Sequence, residues 1–120
     1  MKSYRDLDVW RKAICMVTAV YQCTRAFPKE ETYGLTQQLR RCAVSVPSNI
    51  AEGYGRNSTS DYIRFLQIAT GSLYELQTQL IIARNLEYLS NSDYEAMDDT
   101  TREIERMLNS LTRKLQERQR

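Results

Sequence analysis

A chain of 120 residues is enough for one domain with a single buried core. Four glycines and two prolines are too few for an all-β fold, whose hairpins consume turn residues. Charged residues make up 27% and nearly cancel, to +2, which excludes a polyanion-binding tail; the absence of histidine removes the usual general base, the commonest transition-metal ligand and every histidine-dependent triad.

The first helix is expected over about residues 7–26. Its apolar stretch "AICMVTAVY" sits near Arg5, Asp6, Asp8, Arg11 and Lys12. It is too short to span a bilayer and too acidic upstream for a signal peptide, so a cytoplasmic location is expected. The three cysteines, Cys15, Cys23 and Cys42, are odd in number and unclustered, which argues against a disulfide framework. Each lies among apolar residues and reads as a small buried hydrophobe rather than a reactive thiol.

A break at "FPKEE" leads to a second helix over about 31–54. On a helical wheel Leu35, Leu39, Cys42, Val46, Ile50 and Gly53 form its core seam. Pro47 cannot donate to the Ala43 carbonyl and crowds it, so a kink is expected there. Val44, Pro47, Ala51 and Tyr54 recur at three and four on another side. That regular spacing favours a subunit interface over scattered exposed apolar residues. A third stripe holds Arg41, Ser45, Ser48, Glu52 and Arg56, with Asn49 on its border. It reads either as a recognition surface or as a hydrogen-bonded ridge that braces the kink. The ridge is preferred, because a glutamate neutralising two arginines makes a poor phosphate site.

"GYGRNSTSD" separates the second helix from a third over about 59–87. Gly55 is a candidate left-handed helix end, and Ser58 with Asp61 resembles a capping box. Phe65, Leu66, Ala69, Leu73, Leu76, Leu80 and Ala83 make the main apolar face, widened by Ile63, Tyr74 and Ile81. Gly71, amid small residues, suggests a close backbone approach; Ala43 to Pro47 would then lie opposite Ile68 to Gly71. After "LSNSD", with Ser92 and Glu95 as a second capping box, a fourth helix covers about 93–119. Tyr94, Met97, Thr101, Ile104, Leu108, Leu111 and Leu115 alternate by three and four. Its acidic start and basic end (Arg113, Lys114, Arg118, Arg120) complement the helix dipole. Four similar helices on short connections predict one all-α domain over 1–120, an up-down-up-down antiparallel four-helix bundle.

Three segments carry a family resemblance: "DLDVW", "FPKEETYGLTQQLRRCAVSVPSNIAEGYGR" and "FLQIATGSLYELQTQL". Reaching from Asp6 to about Leu89, they resemble the small bacterial proteins encoded in intervening sequences of 23S ribosomal RNA genes, the four-helix bundle protein family. The fourth helix matches only in kind. The resemblance implies a ring of subunits, typically a homopentamer, which agrees with the second apolar stripe. The family is also similar in fold to the accessory variability determinant of diversity-generating retroelements, a pentameric barrel with a basic surface that works with a reverse transcriptase and nucleic acid. No settled activity comes with the resemblance, and the label "ribosomal" sometimes attached to the family follows from gene location.

No phosphate-loop, dinucleotide, C-x-x-C or H-E-x-x-H pattern occurs. The di-metal sites of helix bundles need Glu-x-x-His, so no enzyme, no cofactor and no metal are expected, nor a small-molecule substrate or a membrane. Thirteen of the seventeen basic residues are arginine, the side chain best suited to bidentate phosphate contact. Arg40, Arg41, Arg56 and Arg64 are accordingly the candidate nucleic-acid contacts of an oligomer that associates with RNA or a nucleic-acid enzyme. The alternative is a protein-interaction or scaffold module that binds no nucleic acid.

Overall fold

The computed structural model describes residues 2–119; Met1 and Arg120 lie outside the described residues. Four helices form in order: α1 (Asp8–Thr24), α2 (Leu35–Tyr54), α3 (Thr59–Asn85) and α4 (Asn91–Arg118). Among the described residues there is no strand. Short 3-10 turns, Tyr4–Asp6 and Lys29–Glu31, precede α1 and α2. Each helix packs on its neighbour in sequence, and α1 packs on α4; the diagonal pairs make no close backbone approach. The molecule measures 48 × 23 × 20 Å.

The apolar spacing sets which face of each helix turns inward. Val9, Ala13, Met16 and Val20 of α1, Leu66, Ala69, Leu73, Leu76 and Leu80 of α3, and Met97, Ile104, Leu108 and Leu115 of α4 are buried. Burying a side chain of this size contributes about 1.5–3 kcal/mol. Buried Thr101 donates to the Asp98 carbonyl at 2.9 Å and accepts from Gln77 at 3.4 Å, so its hydroxyl is not stranded.

Partners along two seams run in opposing order. On α3 and α4, Ser60 meets Gln119, Tyr74 meets Glu105, and Gln77 meets Thr101. On α2 and α3, Cys42 meets Gln79 and Ser45 meets Ser72, while a Cβ on Gly53 would stand 2.8 Å from the Cβ of Phe65.

Caps decide the helix ends. Ser58 accepts from the Asp61 amide at 3.1 Å, as its spacing predicts. At α4 the cap is Ser90, which accepts from the Asp93 amide at 3.1 Å; Ser92 lies inside the helix instead. The start of α2 falls at Leu35 rather than near Glu31, because Lys29–Glu31 close a 3-10 turn. Glu31 still serves that start, accepting from the Leu35 amide at 3.1 Å, where a carboxylate meets the positive end of the helix dipole. Gly55 ends α2 with φ −80°, a right-handed conformation and not a left-handed one. The left-handed end belongs to Glu87, φ 63°, after α3. There the Tyr88 amide donates to Ala83 and the Glu87 amide to Arg84, each at 2.9 Å, the Schellman pairing that satisfies the last carbonyls.

Candidate functional site

The inward face of α2 differs from the one its apolar spacing predicts. Thr36, Leu39, Ala43, Val46, Pro47, Ile50 and Gly53 are buried, whereas Leu35 and Cys42 are only half-buried. Pro47 therefore belongs to the core and leaves the exposed stripe. A proline suits a dry position, since it brings neither an N–H nor a polar side chain to satisfy. Of the remaining members, Val44 is 40% exposed. Ala51 and Tyr54 are half-buried, and Tyr54 packs edge-on against Tyr62 with ring centroids 6.1 Å apart. What survives of the expected interface stripe is thus Val44 and the edges of two neighbours.

The polar ridge falls into two separate bonded groups rather than one network. Ser45 and Ser72 hydroxyls meet at 2.8 Å, and Asn49 donates to the Ser45 carbonyl at 2.8 Å and to its hydroxyl at 2.9 Å. Asn49 thus serves the Ser45 carbonyl and not the Ala43 carbonyl that Pro47 frees. Glu52 pairs with Arg56 at 3.2 Å and does not reach Arg41. Ser48 is exposed and bonded to no described side chain.

The four candidate arginines fall into two groups. Arg56 and Arg64 both lie over one landmark, the Phe65 ring, at 4.6 and 4.8 Å from its centroid. Each also faces an acid: Glu52 at 3.2 Å and Asp61 at 3.9 Å. Both charges are thereby partly offset. Arg40 and Arg41 lie fifteen and more residues back along the chain, within α2, and the helix from Arg41 to its end at Tyr54 covers about 20 Å at 1.5 Å per residue. Arg40 is bound into the seam with α1: it donates to the Thr24 hydroxyl at 2.8 Å and covers the Tyr21 ring at 4.5 Å. Arg41 is exposed, and no described acid lies within ion-pair distance of it.

Arg41 borders a cleft of about 400 Å³ between α1 and the start of α2, lined among others by Tyr21, Tyr33, Thr36 and Gln37. Tyr33, in the turn before α2, is 88% exposed. Sequence spacing gives it no part in any face, and its one signal is an aromatic residue in a turn with no apolar neighbour at three or four.

The cysteines are free, and none is buried as their apolar surroundings suggest. Cys15 is exposed; Cys23 and Cys42 are half-buried. Burial pushes the Cys42 thiol above its ordinary range, and a hydrogen bond to Glu75 at 3.5 Å adds to the shift. At Gly71, expected at a close approach, an added Cβ would meet no neighbouring element within 4 Å. Among the described residues no group of three metal-ligating acids or thiols comes together, and no helix is long and apolar enough to cross a membrane.

The model of the 23S rRNA-intervening sequence protein family matches residues 5–110. No curated protein matches. Among solved structures, a protein of unknown function from the S23 ribosomal protein family of Bacteroides thetaiotaomicron is similar, with a TM-score of 0.79 and 23% identity, covering 87% of this chain and 97% of that one. At that identity the likeness shows the shared helical fold.

Proposed function

The chain belongs to the 23S rRNA-intervening sequence protein family, and from that premise we propose that it acts without catalysis, as an oligomer that associates with RNA or with an enzyme that works on nucleic acid. The single observation that carries this reading is Arg41, exposed and free of acidic partners beside an aromatic-lined cleft whose lining holds no acid. Arg56 and Arg64 on Phe65 add a second cationic station. In an oligomer each arginine is repeated, so a chain of +2 net charge still presents a strong local field. Retention of structured RNA should fall steeply with salt, and Arg41→Ala should weaken it while leaving the fold intact. Retention indifferent to salt would overturn the proposal, and sequencing RNA that co-purifies with the protein at moderate salt would name the ligand.

The architecture is read here as an up-down-up-down antiparallel bundle, supported by the opposed order of partners along the α2–α3 and α3–α4 seams. A kink at Pro47 is part of that reading, since the Ala43 carbonyl has lost its helical donor. Oligomerisation is supported by apolar residues left exposed on α1 (Ile14, Tyr21), α2 (Val44) and α3 (Ile68, Ile81, Ile82). The homopentamer comes from the family resemblance. Val44→Glu should lower the mass seen by light scattering; an unchanged mass removes Val44 from the interface. The same exposed apolar residues favour the second reading, a scaffold for protein partners, which a partner retained after nuclease treatment would support. Three free thiols fit a reducing, cytoplasmic setting.

A further inference from the structure

We propose that the cleft between Tyr33 and Arg41 receives one unpaired nucleotide of a single-stranded nucleic acid, its base against Tyr33 and its phosphate on Arg41. The inference rests on the nucleic-acid reading above and names the form of ligand. Duplex phosphates need only surface charge, and an isolated arginine would serve them. An almost bare tyrosine adds something a duplex cannot use, because paired bases keep their faces stacked within the helix. Sequence-tolerant binding of single strands is built from this combination of an aromatic face and a nearby cation.

Five features of the cleft support the assignment. The Tyr33 ring is 88% exposed, so a base can cover it without displacing a neighbouring side chain. Arg40 is occupied by Thr24 and the Tyr21 ring, which holds the α1 wall in place and leaves Arg41 as the available cation. Thr36 is only 8% exposed, lines the cleft and has a hydroxyl that bonds to no described residue, so it can meet the polar edge of a base; the Gln37 amide donates to the Tyr33 carbonyl at 3.3 Å and accepts from Arg41 at 3.2 Å, tying the aromatic turn to the cation. Glu31, in the preceding turn, does not line the cleft and is occupied elsewhere: it accepts from the Leu35 amide at 3.1 Å and from the Tyr88 hydroxyl at 3.0 Å. The cleft's volume of about 400 Å³ is within the ordinary range of small-ligand sites.

The test is fluorescence anisotropy with the full chain and a labelled oligouridylate of about ten nucleotides. Oligothymidylate of the same length, a hairpin duplex and oligoglutamate are run beside it. Tyr33→Ala should weaken single-strand binding about tenfold, with Tyr33→Phe unchanged and duplex binding unaffected. Arg41→Gln should weaken binding and lower the salt slope by about one. Comparison of the uridylate with the thymidylate shows whether RNA or DNA is the natural strand. Undiminished binding by Tyr33→Ala overturns the cleft assignment and leaves the nucleic-acid reading standing. No binding of any oligonucleotide overturns both. Oligoglutamate bound in a Tyr33-dependent way, with the strands excluded, assigns the cleft to an acidic protein segment instead. Circular dichroism of each variant checks the fold, which an exposed turn residue does not hold together.

Discussion

A methyl group added at Gly53 has no room, for it would stand 2.8 Å from the Cβ of Phe65 and 3.1 Å from the Tyr62 ring. Neither α2 nor α3 can give way there without moving backbone. Gly53→Ala should therefore destabilise the fold by about 1–3 kcal/mol, the usual cost of overpacking. At Gly71 the same methyl meets nothing within 4 Å, and Gly71→Ala should stabilise by up to about 1 kcal/mol through helix propensity alone. Urea denaturation of the two variants measures both signs. Wheel position alone ranks the two glycines wrongly. Gly71 draws suspicion because its neighbours are small, yet it faces outward; Gly53, at the end of the α2 seam, is where the backbones close. The difference lies in the register between two helices, which no single helix encodes. The cysteines teach a similar lesson. An apolar neighbourhood in sequence says little about burial when neighbours fan around a helix, and Cys15 points outward although Ala13 and Met16, beside it in sequence, are buried.

At the scale of the helices, the inward face of α4 is the most legible, although Tyr94 and Leu111 of its expected seam are only half-buried. Its apolar residues are separated by strongly polar ones, so only one face can turn inward, and Met97, Thr101, Ile104, Leu108 and Leu115 do so. In α2 the contrast is weaker: Ala43, Thr36 and Pro47 are buried while larger Leu35 and Cys42 are half out. A helix packed between two neighbours buries a broad sector, and small residues are drawn to its centre because the helices approach closely there. Size and hydropathy then give the wrong rotation by a fraction of a turn. Helix starts depend on finer chemistry still. Ser90 and Ser92 both precede an acid by three, and the structure gives the cap to Ser90. Ser90→Ala should cost about 1 kcal/mol, while Ser92→Ala should change stability very little; thermal unfolding of the pair separates them. As for the candidate site, the arginines can be read from the sequence, but their division is set by tertiary partners: Thr24 and Tyr21 for Arg40, Phe65 for Arg56 and Arg64.

Across the whole molecule, the absence of histidine leaves no side chain that ordinarily titrates near neutrality. The shifted groups lie to either side. The Lys2 amide holds the Asp6 carboxyl below its ordinary 3.8. A depressed carboxyl contributes stability above its unfolded value and loses it as pH falls through the folded one; exposure keeps Asp6's share small. Burial raises the Cys23 and Cys42 thiols above 9.0 and the Tyr62 phenol above 10.0. A raised acid contributes stability below its unfolded value and loses it as pH climbs through the folded one. The urea midpoint should therefore be level from about pH 5 to 8 and decline on both sides; a step near neutrality would contradict this. The α2 helix separates the two cationic stations. Arg41 sits within α2 and Arg56 two residues past its end at Tyr54; the helix from Arg41 to Tyr54 alone spans about 20 Å and cannot shorten, so on the proposed reading α2 works as a ruler. A ligand too short to span that gap engages one station and gains nothing from the other. Once it is long enough, the second contact becomes intramolecular and affinity climbs abruptly, then slackens as surplus length dilutes the effective concentration.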